Sequence, residues 1–121
     1  AVRFARFPAG TRTAFVESAR RSGDYALAGV GVAVQVHDGV VASARASFVS
    51  VTPVPDVLDL GPALLGHDLR GGIPDDVVDL VRAHVDPESD IHADADYRRM
   101  LAAELTRRAL IATTHEAEEV A

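Results

Sequence analysis

Two adjacent segments alternate between apolar and polar or small positions. Val30, Val32, Val34 and Val36 share one parity, and Gly29, Gly31, Ala33 and Gln35 share the other. Beyond a short break, Val40, Ala42, Ala44, Ala46 and Phe48 alternate with Ser43, Arg45 and Ser47. A period of two predicts paired, half-buried strands. The residues between them set a register. A two-residue turn at Asp38-Gly39 would place Val34 opposite Ser43 and mix the faces. A three-residue loop of His37, Asp38 and Gly39 pairs Val36 with Val40 and Val34 with Ala42, with Gly39 at the left-handed position. The spacing therefore predicts the longer loop. The second face of this hairpin is small and polar, suited to solvent or to a partner.

Elsewhere the pattern is mixed. Val2 to Phe7 alternates like a strand, and Pro8 to Gly10 end it. Thr13 to Ser22 reads as a short helix with Phe15, Val16 and Ala19 on one face, capped by Thr11 or Thr13 and stopped at Gly23. Thr52-Pro53-Val54-Pro55 closes the sheet, because proline cannot feed a central ladder. Leu58 to Leu65 reads as a short helix broken by Gly61-Pro62, and Gly71-Gly72 as a linker. Pro74 suits the first turn of the next helix, whose buried stripe is Val77, Leu80, Val81 and Val85. Asp94 is expected to cap a helix from Ala95 to about Ala112. Its inner face would hold Tyr97, Met100, Leu101, Leu105 and Ala109, with Glu104 and Arg108 paired outside. The predicted architecture is a single α+β domain over 1–121, a two-layer sandwich. A three-stranded antiparallel sheet would be backed by about three helices, with strands and a short helix in 1–55, helices in 56–115 and a frayed tail at 116–121.

A chain of 121 residues, 48% hydrophobic and 25% charged, can bury one core. All 12 basic residues are arginine and there is no cysteine. Schiff-base chemistry, disulfides and cysteine-ligated clusters are thereby excluded within the chain. A net charge of -6 argues against nucleic acid as a partner. Arg45 and Arg82 interrupt the richest apolar stretches, so no membrane span is expected, and the location expected is cytoplasmic. The first residue is Ala1, read as processing or as a piece of something longer. Asp86, Glu88, Asp90, His92, Asp94 and Asp96 invite a calcium loop, but Ile91 and Tyr97 stand where such a loop needs Gly and Glu. They read as a solvated acidic loop, and Arg98-Arg99 and Arg107-Arg108 as solvated helix faces. Gly29-Val30-Gly31 opens no helix and no nucleophile sits beside a base, so the chain carries no catalytic apparatus of its own.

One stretch suggests a ligand. In Ser22-Gly23-Asp24-Tyr25-Ala26-Leu27-Ala28, Gly23 allows a sharp turn while Asp24 and Tyr25 offer a carboxylate and a flat amphipathic ring. Such a corner suits a planar heterocycle with polar edges. The reading that local sequence favours is a helix cap with a tyrosine folded on the core.

The run from Phe15 to Val30, which includes Arg20-Arg21-Ser22-Gly23-Asp24-Tyr25-Ala26, resembles the start of a known domain. That domain is the C-terminal one of the FAD-binding medium subunit of molybdenum hydroxylases, the carbon monoxide dehydrogenase and xanthine dehydrogenase group. A second block agrees: Asp90-Ile91, then Ala95-Asp96-Tyr97-Arg98-Arg99 and Leu105-Thr106-Arg107-Arg108-Ala109-Leu110. A third is fainter, Thr52 to Pro55 leading to Ala63-Leu64-Leu65. The resemblance implies an electron-transfer flavoprotein subunit whose iron–sulfur small subunit and molybdenum large subunit are partners. It implies that Gly23, Asp24 and Tyr25 form the turn that reaches FAD, with Tyr25 against the isoalloxazine. The Gly-rich loops that cradle FAD phosphates belong to an N-terminal portion with no counterpart here, so FAD is expected only together with that portion. Where the family carries Gly-Gly, Arg and Glu near the third block, this chain has Val49-Ser50, Val57 and Pro62. The alternative is a freestanding, cofactor-free interaction or dimerisation module, a homo-oligomer using the outer face of the hairpin.

Overall fold

The computed structural model describes residues 10–18, 28–52, 56–87 and 94–120, with side chains described as far as His115. Strands β1 (Thr11–Ser18), β2 (Ala28–His37), β3 (Val40–Val49) and β4 (Leu58–Asp59) form one antiparallel sheet in the order β1-β2-β3-β4. Helices α1 (Gly61–Leu64), α2 (Asp76–His84) and α3 (Ala95–Val120) follow, with a 3-10 turn at Leu69–Gly71 between the first two. The α+β class agrees with the sequence pattern. The sheet has four strands rather than three.

The first correction concerns Thr13 to Ser22. Residues Thr11 to Ser18 are strand β1, not helix, paired from Thr11 opposite Gln35 to Ser18 opposite Ala28. Thr13, Phe15 and Glu17 are exposed while Ala14, Val16 and Ser18 are half-buried, a period of two. Threonine, valine and phenylalanine favour that pleated surface, and pairing with β2 overrode the weak helical face. Gly23, at which that helix was expected to stop, lies outside the described residues. The strand expected at Val2 to Phe7 lies outside the described residues.

The β2–β3 turn overturns the three-residue loop. His37 pairs with Val40, so the turn is Asp38-Gly39, with φ of 53 and 82 as two-residue hairpins require. The faces stay unmixed because of a bulge. Val36 pairs with Val41 and Gln35 with Ser43, leaving Ala42 as an extra residue on β3. Val34 then meets Ala44, Val32 meets Ala46 and Val30 meets Phe48. Val41 is buried where Val40 and Ala42 were expected to be.

The sheet does not end at the prolines. After residues 53–55, which lie outside the described residues, β4 pairs Leu58 with Ala46 and Asp59 with Arg45. Leu60 continues the contact, its N–H donating to the Ala44 carbonyl at 2.9 Å. Gly61-Pro62 starts α1 rather than breaking a helix, because proline fits the first turn. The Gly61 N–H donates to Asp59 Oδ1 at 2.8 Å, and a Cβ on Gly61 would stand 2.9 Å from that oxygen. A side chain at position 61 would therefore displace the Asp59 carboxylate from this bond.

On the inner face of the sheet α3 packs on β1 and β2 and α1 on β3, while α2 packs on α3 and α1. Val77, Val81 and Val85 are buried as the stripe predicted, while Leu80 is half-buried. Asp94 caps α3, its Oδ1 accepting from the Tyr97 N–H at 2.7 Å. The helix passes the expected end near Ala112 and runs to Val120. Its buried stripe is rotated from the one expected. Leu105 and Ala109 are inside, but Tyr97 and Met100 are 44% and 52% exposed. Arg98, Ala102, Thr106, Leu110 and Thr113 are buried instead. The threonines are accommodated because Thr106 Oγ1 donates to the Ala102 carbonyl at 2.7 Å and Thr113 Oγ1 to the Leu110 carbonyl at 2.6 Å. The small Ala102 and Ala109 let the helix lie close to the sheet.

At the end of β3, Ser50 takes φ 68, a left-handed conformation that costs a non-glycine residue about 1–2 kcal/mol. Part of the gain from glycine is lost to its greater freedom when unfolded, about 0.5–1 kcal/mol. Ser50→Gly is therefore expected to raise stability by roughly 0.5–1 kcal/mol. Thermal unfolding checks it; an unchanged or lowered Tm would remove the strain.

Candidate functional site

Gly23, Asp24 and Tyr25 lie between the paired residues Ser18 and Ala28, outside the described residues. The connection that carries them leaves and re-enters the sheet at one rim. On β3 that rim is marked by Val49, which pairs with Gly29.

The described residues at this rim are held by α3. Arg98 is 8% exposed, and its Nη1 donates to the Ser50 carbonyl at 3.3 Å. The next carbonyl, of Val51, accepts from the Asp86 N–H at 2.9 Å. Arg99 reaches Asp86 at 3.8 Å and Asp96 at 3.5 Å. The chain after β3, the segment after α2 and the first turn of α3 are thus fastened together beside the β1–β2 connection. Arg98 was expected on a solvated face; its buried place follows from sharing the inner stripe with Ala102 and Leu105. Tyr97 and Met100, expected inside, are exposed beside it.

Farther along α3, Arg107 and Arg108 are paired, as a solvated face would have them. Arg107 Nη2 donates to Glu104 Oε1 at 2.7 Å and Arg108 Nε at 3.2 Å. The Arg107 hydrogen bond, supported by Arg108, holds the Glu104 carboxyl below the usual glutamate range. At the opposite edge of the sheet, His84 Nε2 lies 3.1 Å from the Asp56 carboxylate, and its ring stands 5.7 Å from that of Phe48. This pair fastens the approach to β4 onto the last turn of α2. The Ser47 hydroxyl donates to the Asp56 main-chain carbonyl at 3.0 Å.

The outer face of the sheet is a second feature. Phe15 and Val57, 59% and 62% exposed, wall a trough of about 560 Å³ floored by Gly31, Ala33 and Ser47, with Arg45 at one side. The Phe15 ring lies over the glycine stripe, close enough that a Cβ on Gly29 or Gly31 would touch it at 3.4 or 3.6 Å. The sequence marked this face as small and polar but assigned Phe15 to a helix, so its apolar wall went unseen. Among the described residues no three potential ligand side chains gather around a metal position. No described helix is long and apolar enough to cross a membrane.

With this geometry in hand, similarities to known proteins give the rim a context. Residues 13–113 match the family model described as the CO dehydrogenase flavoprotein C-terminal domain. The chain is 30% identical over 110 residues to the carbon monoxide dehydrogenase medium chain of Hydrogenophaga pseudoflava, covering 90% of this chain and 38% of that one. It is 33% identical over 99 residues to the nicotine 6-hydroxylase medium subunit of Paenarthrobacter nicotinovorans, covering 78% of this chain and 34% of that one. Its fold superposes on reconstituted CO dehydrogenase from Oligotropha carboxidovorans with a TM-score of 0.77 and 31% identity, over 88% of this chain and 37% of that chain. The chain thus spans a little over a third of the relatives it matches.

Proposed function

Because the chain belongs to the CO dehydrogenase flavoprotein C-terminal domain family, we propose that it completes the flavin site of an FAD-containing electron-transfer subunit. That subunit would serve a molybdenum hydroxylase-type oxidoreductase in the cytoplasm, beside an iron–sulfur small subunit and a molybdenum large subunit. The observation that carries this reading is the family match over 13–113, which takes in the Gly23-Asp24-Tyr25 turn and all of the described sheet except Thr11 and Arg12.

FAD, when bound, supplies the redox chemistry. The chain's share is to present and to shield. Tyr25 offers a ring face to the isoalloxazine and keeps water from it, Asp24 offers a hydrogen-bond acceptor, and Gly23 permits the turn between them. The structure supports this division in one respect. The connection bearing the turn springs from the paired residues Ser18 and Ala28, at a rim where Arg98 ties the end of β3 to α3. The phosphates need a Gly-rich loop, which this sequence lacks, so affinity for FAD depends on an N-terminal portion.

The test combines this chain with the FAD-binding portion that precedes the matching region in the Hydrogenophaga pseudoflava medium chain. FAD retained through gel filtration is the readout. The isolated chain is expected to retain none, and the combination more than the N-terminal portion alone. Equal retention with and without this chain would remove its role in the flavin site. The second reading, a cofactor-free interaction module, draws on the exposed outer face.

A further inference from the structure

We propose that the outer face of the sheet is a self-association surface, on which a second copy of this chain docks about a two-fold axis over Gly31. The inference goes beyond the flavin reading and does not depend on it.

Glu17 pairs with Gly29 and Arg45 with Ala33, while Gly31 lies between those two on β2. Gly31 is therefore midway between Glu17 on β1 and Arg45 on β3, one strand and one same-face row from each. A two-fold axis in the plane between two facing sheets, over Gly31 and perpendicular to the line from Glu17 to Arg45, exchanges these residues. Each Arg45 then faces the Glu17 of the other copy, and the interface holds two such pairs. Both side chains are exposed; Asp59 stands opposite Arg45 on β4 with its Oδ1 accepting from the Gly61 N–H, and no ion pair engages Glu17 or Arg45 among the described residues. The pairing is thus available to a partner and complementary in charge.

The same operation treats Phe15 well. Strands lie about 4.8 Å apart and same-face rows about 6.6 Å apart. On that grid the axis carries the Phe15 ring of one copy over the Gly31–Ala33 floor of the other, which has no side chain larger than a methyl group. A 59% exposed phenylalanine beside a trough of about 560 Å³ is the convex and concave half of one self-complementary shape. The sheets would cross at a steep angle, close to the orthogonal mode of sheet packing. The face offers on the order of 500 Å² per copy, about 1,000 Å² in total, the lower bound of specific interfaces. A weak dimer follows. Copies of net charge -6 repel at long range, but at about 0.15 M salt this is screened beyond roughly 8 Å while contact pairs survive.

Sedimentation equilibrium of the chain at physiological salt, from 5 µM to 1 mM, tests it. A monomer–dimer equilibrium with Kd on the order of 100 µM is expected. Arg45→Glu alone and Glu17→Arg alone each set like charges opposite one another, and each should raise Kd roughly tenfold or more. The double reversal should return Kd to within about threefold of the parent. Phe15→Ser should abolish the dimer; should it fail to fold, the two exposed charge positions decide alone. A chain monomeric up to 1 mM overturns the proposal and leaves the face to a different polypeptide. A dimer indifferent to both single reversals, or not rescued by the double, overturns it as well.

Discussion

Replacing Leu105 by alanine is expected to lower unfolding stability by about 3–4 kcal/mol, the middle of the range for a large buried aliphatic side chain. Leu105 is 1% exposed, midway along the buried stripe of α3, and α3 is the element that covers β1 and β2. The loss has two parts, the removal of three carbons from an apolar site and the void left between helix and sheet. The void cannot close easily, because Ala102 and Ala109 already bring the helix near and the sheet behind is rigid. Urea unfolding followed by circular dichroism measures it. A loss under about 1 kcal/mol would show that α3 does not pack on the sheet as described. Leu101, half-buried on the same helix, is the control, with an expected loss less than half as large.

The second large effect is at Arg98. Arg98→Ala is expected to cost about 2–4 kcal/mol, summing a charge-assisted hydrogen bond of roughly 1.5–3 kcal/mol and the packing of its stem. The guanidinium is 8% exposed and donates to Ser50, whose backbone is left-handed. Its removal leaves that carbonyl without this donor and releases the end of β3 from α3. Arg99→Ala, one residue away with its side chain 33% exposed, should cost under about 1 kcal/mol. Equal losses at the two arginines would contradict the assignment of Arg98 to the inner stripe. The predicted gain from Ser50→Gly concerns the same corner but a different cause, local backbone strain, so the two changes need not add.

These cases show what was legible in the sequence. The β2–β3 hairpin could be read because alternating valines admit only one buried face. Its turn could not, since a one-residue bulge at Ala42 corrects the parity that the loop was expected to correct. Segment 11–18 carries Ala14, Val16 and Phe15, which satisfy a helical stripe nearly as well as a strand; only pairing with β2 decides. For α3 the period was right and the phase was wrong. Hydrophobicity alone puts Tyr97 and Met100 inside, and nothing in a sequence announces that Thr106 and Thr113 will satisfy their hydroxyls on their own helix. Arg98 was hidden by its neighbour, because two adjacent arginines look alike until the helix turns one inward.

The departure at Val49-Ser50 also gains a physical meaning. Ser50, where the resemblance implies a glycine, takes a positive φ of 68, a conformation that strains a residue with a Cβ. The candidate site was legible differently. Local chemistry favoured a helix cap with a packed tyrosine for Gly23, Asp24 and Tyr25, and the resemblance turned the reading toward a ligand contact. The cap reading assumed a helix over 13–22, and β1 removes that assumption.

The most direct measurement is the flavin spectrum of a chimera. In it, this chain replaces the matching 38% of the Hydrogenophaga pseudoflava medium chain. The account predicts that the chimera holds FAD as its parent does. Tyr25→Ala should shift the flavin absorbance bands, raise flavin fluorescence and weaken FAD binding roughly tenfold, the loss of one aromatic contact worth about 1–1.5 kcal/mol. Tyr25→Phe, which keeps the ring, should restore most of the affinity. A chimera that holds FAD with the same spectrum and affinity whether residue 25 is tyrosine or alanine would contradict it.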